Sequence, residues 1–81
     1  MSVMLEVYYR APYDATREEN LSSEVRTFGG KLTFREEPDT EVSSAICLTY
    51  EFDTRDAALR CEQRLLALNE HVEGPAEYGE S

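Results

Sequence analysis

The chain has few of the residues on which metal sites, redox sites and secreted mini-domains usually depend. Its 81 residues include no tryptophan, one histidine, two cysteines and three prolines. Cys47 and Cys61 are too few for a disulfide framework and too far apart for a Cys-x-x-Cys motif. The only adjacent glycines, Gly29-Gly30, follow a predicted helix, which is the wrong end of a helix for a phosphate cradle. We therefore expect no cofactor and no bound metal.

Long apolar runs and clusters of basic residues are also missing. The longest uncharged run, residues 42–50, has nine residues, whereas a membrane-spanning helix needs about 20. The first residues carry no basic group and reach an acid at Glu6, which is unlike a signal peptide. The net charge of −9 argues against a nucleic-acid partner, because binding phosphates needs clustered cations. We expect a reduced, cytoplasmic protein that neither enters a membrane nor binds nucleic acid.

The negative charge is concentrated in two places, a predicted loop at 36–43 and the C-terminal segment 70–81. Eight of the 17 acids lie there: Glu36, Glu37, Asp39, Glu41, Glu70, Glu73, Glu77 and Glu80. The remaining nine acids nearly balance the eight basic residues. Runs of one sign are usually solvated, and the loop lacks the glycine and the final acid of a calcium-binding loop. Both segments are predicted to be solvated, with cation binding by the acidic loop as the alternative.

The spacing of apolar residues changes between a period of two and a period of 3.6 along the chain. The predicted elements are a strand at 3–10, a helix from residue 14 or 16 to Gly29-Gly30, strands at 31–35 and 44–52, a helix between Asp53 and Asn69, and a strand at 72–78. Thr16 and Glu19 fit a capping box for the first helix, and Asp53 fits a cap for the second. Pro75 restricts the last strand to a sheet edge.

This order of elements resembles the ferredoxin-like superfold. The resemblance implies an α+β, two-layer βαββαβ sandwich in a single domain spanning 1–81. Its antiparallel sheet would have the strand order 4-1-3-2, with both helices on one face. Because superfolds of this kind host many unrelated functions, the resemblance implies no activity.

The hairpin formed by the second and third strands has a predicted register that separates two faces. Pairing Thr33 with Thr49 places Leu32 opposite Tyr50 and Phe34 opposite Leu48 on the inner face, and Lys31 opposite Glu51 on the outer face. Arg35 then lies on the outer face near Cys47. A neighbouring cation lowers the pKa of a thiol and makes it reactive; the alternative is a small residue that fills the sheet surface.

Two surfaces are candidates for function. Three connections meet at one end of the predicted fold and bring Tyr13, Arg17 and His71 there as a candidate ligand site. His71 has the chemistry of a general base, but no motif ties a nucleophile to it, and an exposed histidine after a helix is the alternative. The second surface is a semi-apolar strip on the outer sheet face, formed by Met4, Tyr8, Ala45, Cys47 and Thr49.

The outer strip fits protein contact better than RNA binding, because only Tyr8 is a central aromatic and base stacking uses two or three. Charges around an apolar centre are typical of an interface rim. The leading interpretation is a small, non-catalytic interaction or regulatory module that forms a homodimer through its outer face or through the edge of the second strand. A different protein partner stays open. The alternative is a small enzyme or ligand-binding protein that uses the loop end.

Overall fold

The computed structural model describes residues 2–37 and 45–78 and has six elements in the predicted order. They are β1 (Ser2–Arg10), α1 (Ala15–Thr27), β2 (Lys31–Glu36), β3 (Ala45–Phe52), α2 (Arg55–Ala67) and β4 (His71–Tyr78). The sheet is antiparallel with the order β2-β3-β1-β4, which is the predicted order read from the other edge. The chain therefore has the ferredoxin-like α+β fold. Neither helix is long and apolar enough to cross a membrane, and the described residues contain no other helix.

The core lies between the sheet and the two helices. Alternate residues of the two central strands are buried, as are a stripe on α1 and a stripe on α2. The buried set comprises Val3, Leu5, Val7, Tyr9, Ile46, Leu48, Tyr50 and Phe52 from the strands, and Leu21, Val25, Ala58, Cys61 and Leu65 from the helices. Each large side chain buried in this way contributes about 1.5–3 kcal/mol. The inner face is thus covered by helices, and the remaining side chains of each strand lie on the outer face.

The helix starts use the predicted chemistry at neighbouring positions. The carboxylate of Asp14 accepts a hydrogen bond from the Arg17 amide at 3.0 Å, and the Thr54 hydroxyl accepts one from the Ala57 amide at 3.1 Å. The predicted start of the first helix near residue 14 is confirmed, whereas the predicted caps at Thr16 and Asp53 are wrong. Asp14 and Thr54 are the residues whose backbone is still extended immediately before each helix, and only such a residue can fold its side chain over the free amides.

Both helices end where the sequence predicts, through a residue in the left-handed region. Gly29 has φ +84° and Asn69 has φ +66°. In each case the next amide returns to the helix, from Gly30 to the Val25 carbonyl and from Glu70 to the Leu65 carbonyl, both at 3.0 Å. These bonds satisfy carbonyls that the helix leaves free.

The register of β2 follows the prediction for two residues and then departs from it. Lys31 pairs with Glu51 and Leu32 with Tyr50, but a bulge at Thr33 pairs Phe34 with Thr49 and Arg35 with Leu48. Phe34 therefore lies on the outer face and Arg35 on the inner face, the reverse of the predicted arrangement. The physical reason is the ion pair that Arg35 forms with Glu18 of α1, at 2.8 Å, which only the inner face allows.

A second bulge lies where β4 pairs with β1. Val72 is opposite Val7, but after Gly74-Pro75 the pairing shifts so that Ala76 is opposite Met4 on the outer face. The predicted strand and its place at the sheet edge are confirmed. Val72 and Ala76 therefore lie on opposite faces, because Gly74, with φ +112°, inserts an extra residue into the strand.

Candidate functional site

The outer face of the sheet brings together the residues predicted for an interface. Tyr8 lies opposite Cys47, Glu6 opposite Thr49, and Arg10 opposite Ala45. Met4, Tyr8 and Thr49 are half-buried, Ala45 is exposed, and Cys47 is only 9% exposed. We call Met4, Tyr8, Phe34, Cys47 and Thr49 the outer-face patch.

Phe34 is the member of the patch that the sequence prediction missed. The bulge at Thr33 turns it outward, and it is 58% exposed. The hydroxyl of Thr33 lies 4.0 Å from the sulfur of Met4, which joins β2 to the centre of the patch. No feature of the alternating pattern in 31–36 indicates the extra residue, so periodicity alone was unable to find it.

Tyr8 is held in place by its neighbours on three strands. Its hydroxyl donates to Oε1 of Glu6 at 3.2 Å, and its ring meets the His71 ring edge-on with centroids 5.7 Å apart. Hydrogen bonding with the Cys47 thiol, burial and the Glu6 carboxylate raise the pKa of Tyr8 far above its usual range. The Tyr8 side chain thus contacts groups on β1, β3 and β4.

The Cys47 thiol does not have the cation that the sequence suggested. Glu36, rather than Arg35, lies opposite it on β2. Burial raises the pKa of Cys47, and the Glu6 and Glu36 carboxylates add to that effect. The expectation of a thiol activated by Arg35 is therefore wrong, and Cys47 is a small, buried residue beside Tyr8 on the neighbouring strand.

The three residues predicted for the loop-end site do not come together. His71 pairs with Tyr8, so its ring lies on the outer face, where Nε2 is 3.2 Å from Oε2 of Glu73. Tyr13 and Arg17 lie at the other side of the sheet, at the start of α1. His71 is thus a neighbour of the outer-face patch, and the other two residues belong to a separate network.

That network is built around Glu18 of α1. Arg35 donates from Nε and Nη2 to the two carboxylate oxygens of Glu18, both at 2.8 Å, and the hydroxyl of Tyr9 also donates to Glu18. The Arg35 guanidinium lies 4.9 Å from the centre of the Tyr13 ring. A hydrogen bond from Arg35, and a weaker contribution from Tyr9, lower the pKa of Glu18. The network fixes the edge strand β2 to α1.

Arg17 joins the same network from the other side of Tyr9. Its guanidinium lies 5.2 Å from the centre of the Tyr9 ring, and Nη2 donates to Oε1 of Glu70 at 2.8 Å. Glu70 is largely buried, so its predicted place in a solvated acidic segment is wrong. A groove of about 360 Å³ opens beside this pair, lined by Arg17, Asn20, Leu21, Ser23, Glu24, Leu68 and Glu70.

Cation binding by the acidic loop stays a prediction, because residues 38–43 lie outside the described part of the chain. Within the described part, Glu37 bonds to Arg35. No group of three or more histidine, cysteine or acidic side chains in that part is arranged to hold a metal ion.

Glu18→Gln should destabilise the domain in a pH-dependent way. The Glu18 side chain is 13% exposed, and charge-assisted hydrogen bonds of this kind contribute roughly 1.5–3 kcal/mol. Because the pKa of Glu18 is lowered in the folded state, its stabilising effect is present above the ordinary carboxyl pKa of about 4.3 and is lost as the pH falls below it. Urea unfolding at several pH values checks this.

The matched control is Glu24→Gln, which breaks a more exposed pair with Arg64 on the helix surface. We expect a much smaller loss there, because exposed ion pairs contribute little. Equal losses for the two variants at neutral pH, or a Glu18→Gln loss that persists unchanged at acidic pH, would contradict the role assigned to Glu18.

Comparison of the chain with protein-family models, with curated proteins and with solved structures finds no match. A function is therefore inferred from the geometry of the outer-face patch and of the network around Glu18 and Arg17.

Proposed function

We propose that this domain is a small, non-catalytic interaction module that forms a homodimer through the outer face of its sheet. The observation that carries the proposal is the pair of aromatic rings, Tyr8 and Phe34, on a sheet face that no described helix covers. Aromatic side chains in the centre of an interface contribute most of its binding energy.

The size of the outer face is sufficient for a second copy. The domain measures only 16 Å across its thinnest direction, as expected for one sheet and one helix layer. Four strands about 4.8 Å apart, each about 8 residues long, present on the order of 500 Å² of sheet surface. Two such faces bury about 1,000 Å², the lower bound for a specific interface. Two-fold dimers are the commonest assemblies that use one surface twice.

Tyr8 is well suited to anchor this contact. Its side chain has two rotatable angles, and Glu6 and His71 already restrict them. Little conformational entropy is therefore lost when the ring is buried against a partner.

The charges on the outer face moderate the association. Its four acids, Glu6, Glu36, Glu51 and Glu73, outnumber its two basic residues, Arg10 and Lys31. Glu6, Glu51 and Glu73 each have a local donor: the Tyr8 hydroxyl, the Ser2 hydroxyl and the His71 ring, respectively. Two copies of an acidic face still repel each other, and salt screens that repulsion. We therefore expect association through the outer face to strengthen as the salt concentration rises.

Tyr8→Glu should lower the oligomeric state without unfolding the chain. The substitution buries an unpaired carboxylate in the contact of each copy, which costs about 3–5 kcal/mol and raises the dissociation constant at least roughly 100-fold. Sedimentation velocity over a concentration series measures this effect, and circular dichroism checks the fold.

The matched control is Leu66→Glu, which places the same charge on an exposed leucine of α2, away from the sheet. It should associate like the natural sequence. A natural sequence that remains a single chain at high micromolar concentration, or equal association of the Tyr8→Glu and Leu66→Glu variants, would contradict the proposal.

A second candidate function is binding of a small carboxylate in the groove beside Arg17. One observation favours it: Arg17 lines the groove and its side chain is 40% exposed, although Nη2 is bonded to Glu70. A ligand carboxylate that competes with Glu70 for the guanidinium would use the remaining donors. Shifts of the Arg17 and Glu70 amide resonances on titration with simple carboxylates, absent in Arg17→Met, would support it; unshifted resonances would rule it out.

A further inference from the structure

The strand β2 forms an edge of the sheet, and no strand in the described part of the chain pairs with its far side. Five of its six residues are exposed, among them Leu32 and Phe34. An exposed edge that carries apolar side chains is a template for adding another strand. Because β2 is short and contains two basic residues, Lys31 and Arg35, and one acid, Glu36, the identity of an added strand depends on how those charges are matched.

The bulge at Thr33 gives β2 the same order of faces when it is read in either direction. Lys31 lies opposite Glu51 and is therefore on the outer face, and Leu32 lies opposite Tyr50 and is on the inner face. Thr33 and Phe34 both lie on the outer face. Arg35, opposite Leu48, is inner, and Glu36, opposite Cys47, is outer. From the midpoint between Thr33 and Phe34, the order in both directions is outer, inner, outer.

We propose that β2 pairs antiparallel with β2 of a second copy, about a two-fold axis between Thr33 and Phe34. Residues directly opposite each other in an antiparallel pair share a face. The axis pairs Lys31 with Glu36 of the second copy, Leu32 with its Arg35, and Thr33 with its Phe34. A strand that alternated without a bulge would place each of these pairs on opposite faces.

Neighbouring registers fail this condition. A shift by one residue in one direction pairs Leu32, which is inner, with Glu36, which is outer. A shift in the other direction pairs Lys31, which is outer, with Arg35, which is inner. The faces therefore select one register, since a one-residue slip reverses every side chain.

The chemistry of the selected register is also complementary. Two-fold symmetry makes the contact between Lys31 and Glu36 twice, once at each end of the paired strands. The Phe34 ring of one copy packs against the Thr33 methyl group of the other. The aliphatic part of Arg35 covers Leu32 of the other copy, while its guanidinium stays paired with Glu18 of its own chain. Lysine on an edge usually discourages pairing. Here Lys31 allows pairing with a strand that carries an acid directly opposite it, as Glu36 of the second copy does.

This pairing is a different contact from the face-to-face dimer and does not depend on it. It joins two sheets into one of eight strands and makes their outer faces continuous. The two contacts also respond to salt in opposite ways. Edge pairing weakens as salt screens the ion pairs between Lys31 and Glu36, whereas face association strengthens.

The experiment is a charge exchange in the Tyr8→Glu variant, whose outer face no longer associates. Lys31→Glu and Glu36→Lys each create two like-charge pairs, and we expect each to weaken the remaining dimer roughly tenfold or more. The combined Lys31→Glu/Glu36→Lys variant restores opposite charges and should return to within about threefold of the parent. Sedimentation at concentrations up to the millimolar range measures the dissociation constants.

Arg26→Glu, a charge reversal on the exposed surface of α1, serves as the control and should leave the dimer intact. Circular dichroism shows whether each variant is folded, so a loss of folding in a single variant is not mistaken for a loss of association. If the double exchange restores the dissociation constant, Lys31 and Glu36 of the two copies are opposite each other, which establishes the register. A parent that stays a single chain at the highest concentration, or a double exchange as weak as the single variants, would overturn the edge pairing. Neither outcome touches the outer-face dimer, which the effect of Tyr8→Glu itself tests.

Discussion

Leu5→Asp should unfold the domain. Leu5 is fully buried in the central strand β1, opposite Tyr50, among the apolar residues that join the sheet to both helices. A carboxylate has no cation to meet at that position, and burying one costs several kcal/mol. The net stability of a small domain is about 5–15 kcal/mol, at the lower end for a chain of this size. Far-ultraviolet circular dichroism should show no cooperative melt.

The matched control is Leu66→Asp, the same substitution at a leucine of α2 that is 49% exposed. It should melt almost as the natural sequence does. Leu48→Asp is a weaker test of the core, because Arg35 lies directly opposite Leu48 and is able to pair with the new carboxylate. A native melt for Leu5→Asp would contradict the assignment of the inner face as the core.

Gly30→Ala should cost about 1–3 kcal/mol, lowering the melting temperature by roughly 5–20 °C. Gly30 is buried where α1 turns into β2, and a methyl group there would lie 2.5 Å from Cε2 of Phe52 and 2.6 Å from Cγ1 of Val25. Phe52 is itself in the core, so its ring has no free space to enter. Thermal unfolding of the purified variant measures the loss.

Substitutions at the adjacent Gly29 serve as the control that separates two causes of instability, lack of space and an unfavourable backbone angle. It has φ +84°, and a Cβ at that position would have nothing within 4 Å. Gly29→Asn should therefore be nearly neutral, since asparagine tolerates the left-handed region, whereas Gly30→Asn should be at least as damaging as Gly30→Ala. The reverse order would show that the packing of Gly30 against Phe52 does not limit stability.

The element order and the strand order followed from the sequence because the buried faces repeat with clear periods. Val3, Leu5 and Val7 alternate without interruption, and a strand with one buried face has no other way to place them. The helix ends also followed, because Gly29 and Asn69 are residue types that adopt the left-handed region readily.

The faces on which the β2 side chains lie did not follow from the sequence. The bulge shifts the register by one residue, and nothing in the alternating pattern of 31–36 indicates it. The choice depends on Arg35 reaching Glu18, a contact between residues 17 positions apart on different elements. Periodicity contains no information about that contact. This single bulge accounts for both the missed exposure of Phe34 and the mistaken pairing of Arg35 with Cys47.

The candidate surfaces were predicted to different extents for the same reason. Tyr8 and Cys47 come from two regular strands, so their adjacency followed from alternation. Predicting the loop-end site required knowing on which face of the sheet His71, the first residue of β4, lies. Its pairing with Tyr8 places His71 on the outer face, away from Tyr13 and Arg17. The link between Arg17 and Tyr9 depends on a core tyrosine whose ring stacks under the guanidinium.

The contact between outer faces is tested most directly by isotope-filtered nuclear Overhauser spectroscopy on a mixture of labelled and unlabelled chains. The Glu36→Lys variant, in which edge pairing is weakened and the outer face gains no negative charge, is used for both chains. A dimer through the outer face predicts contacts between the Tyr8 or Phe34 ring of one copy and Met4 or Thr49 of the other. Spectra at high micromolar concentration in which the Tyr8 ring contacts only its own chain would contradict that dimer.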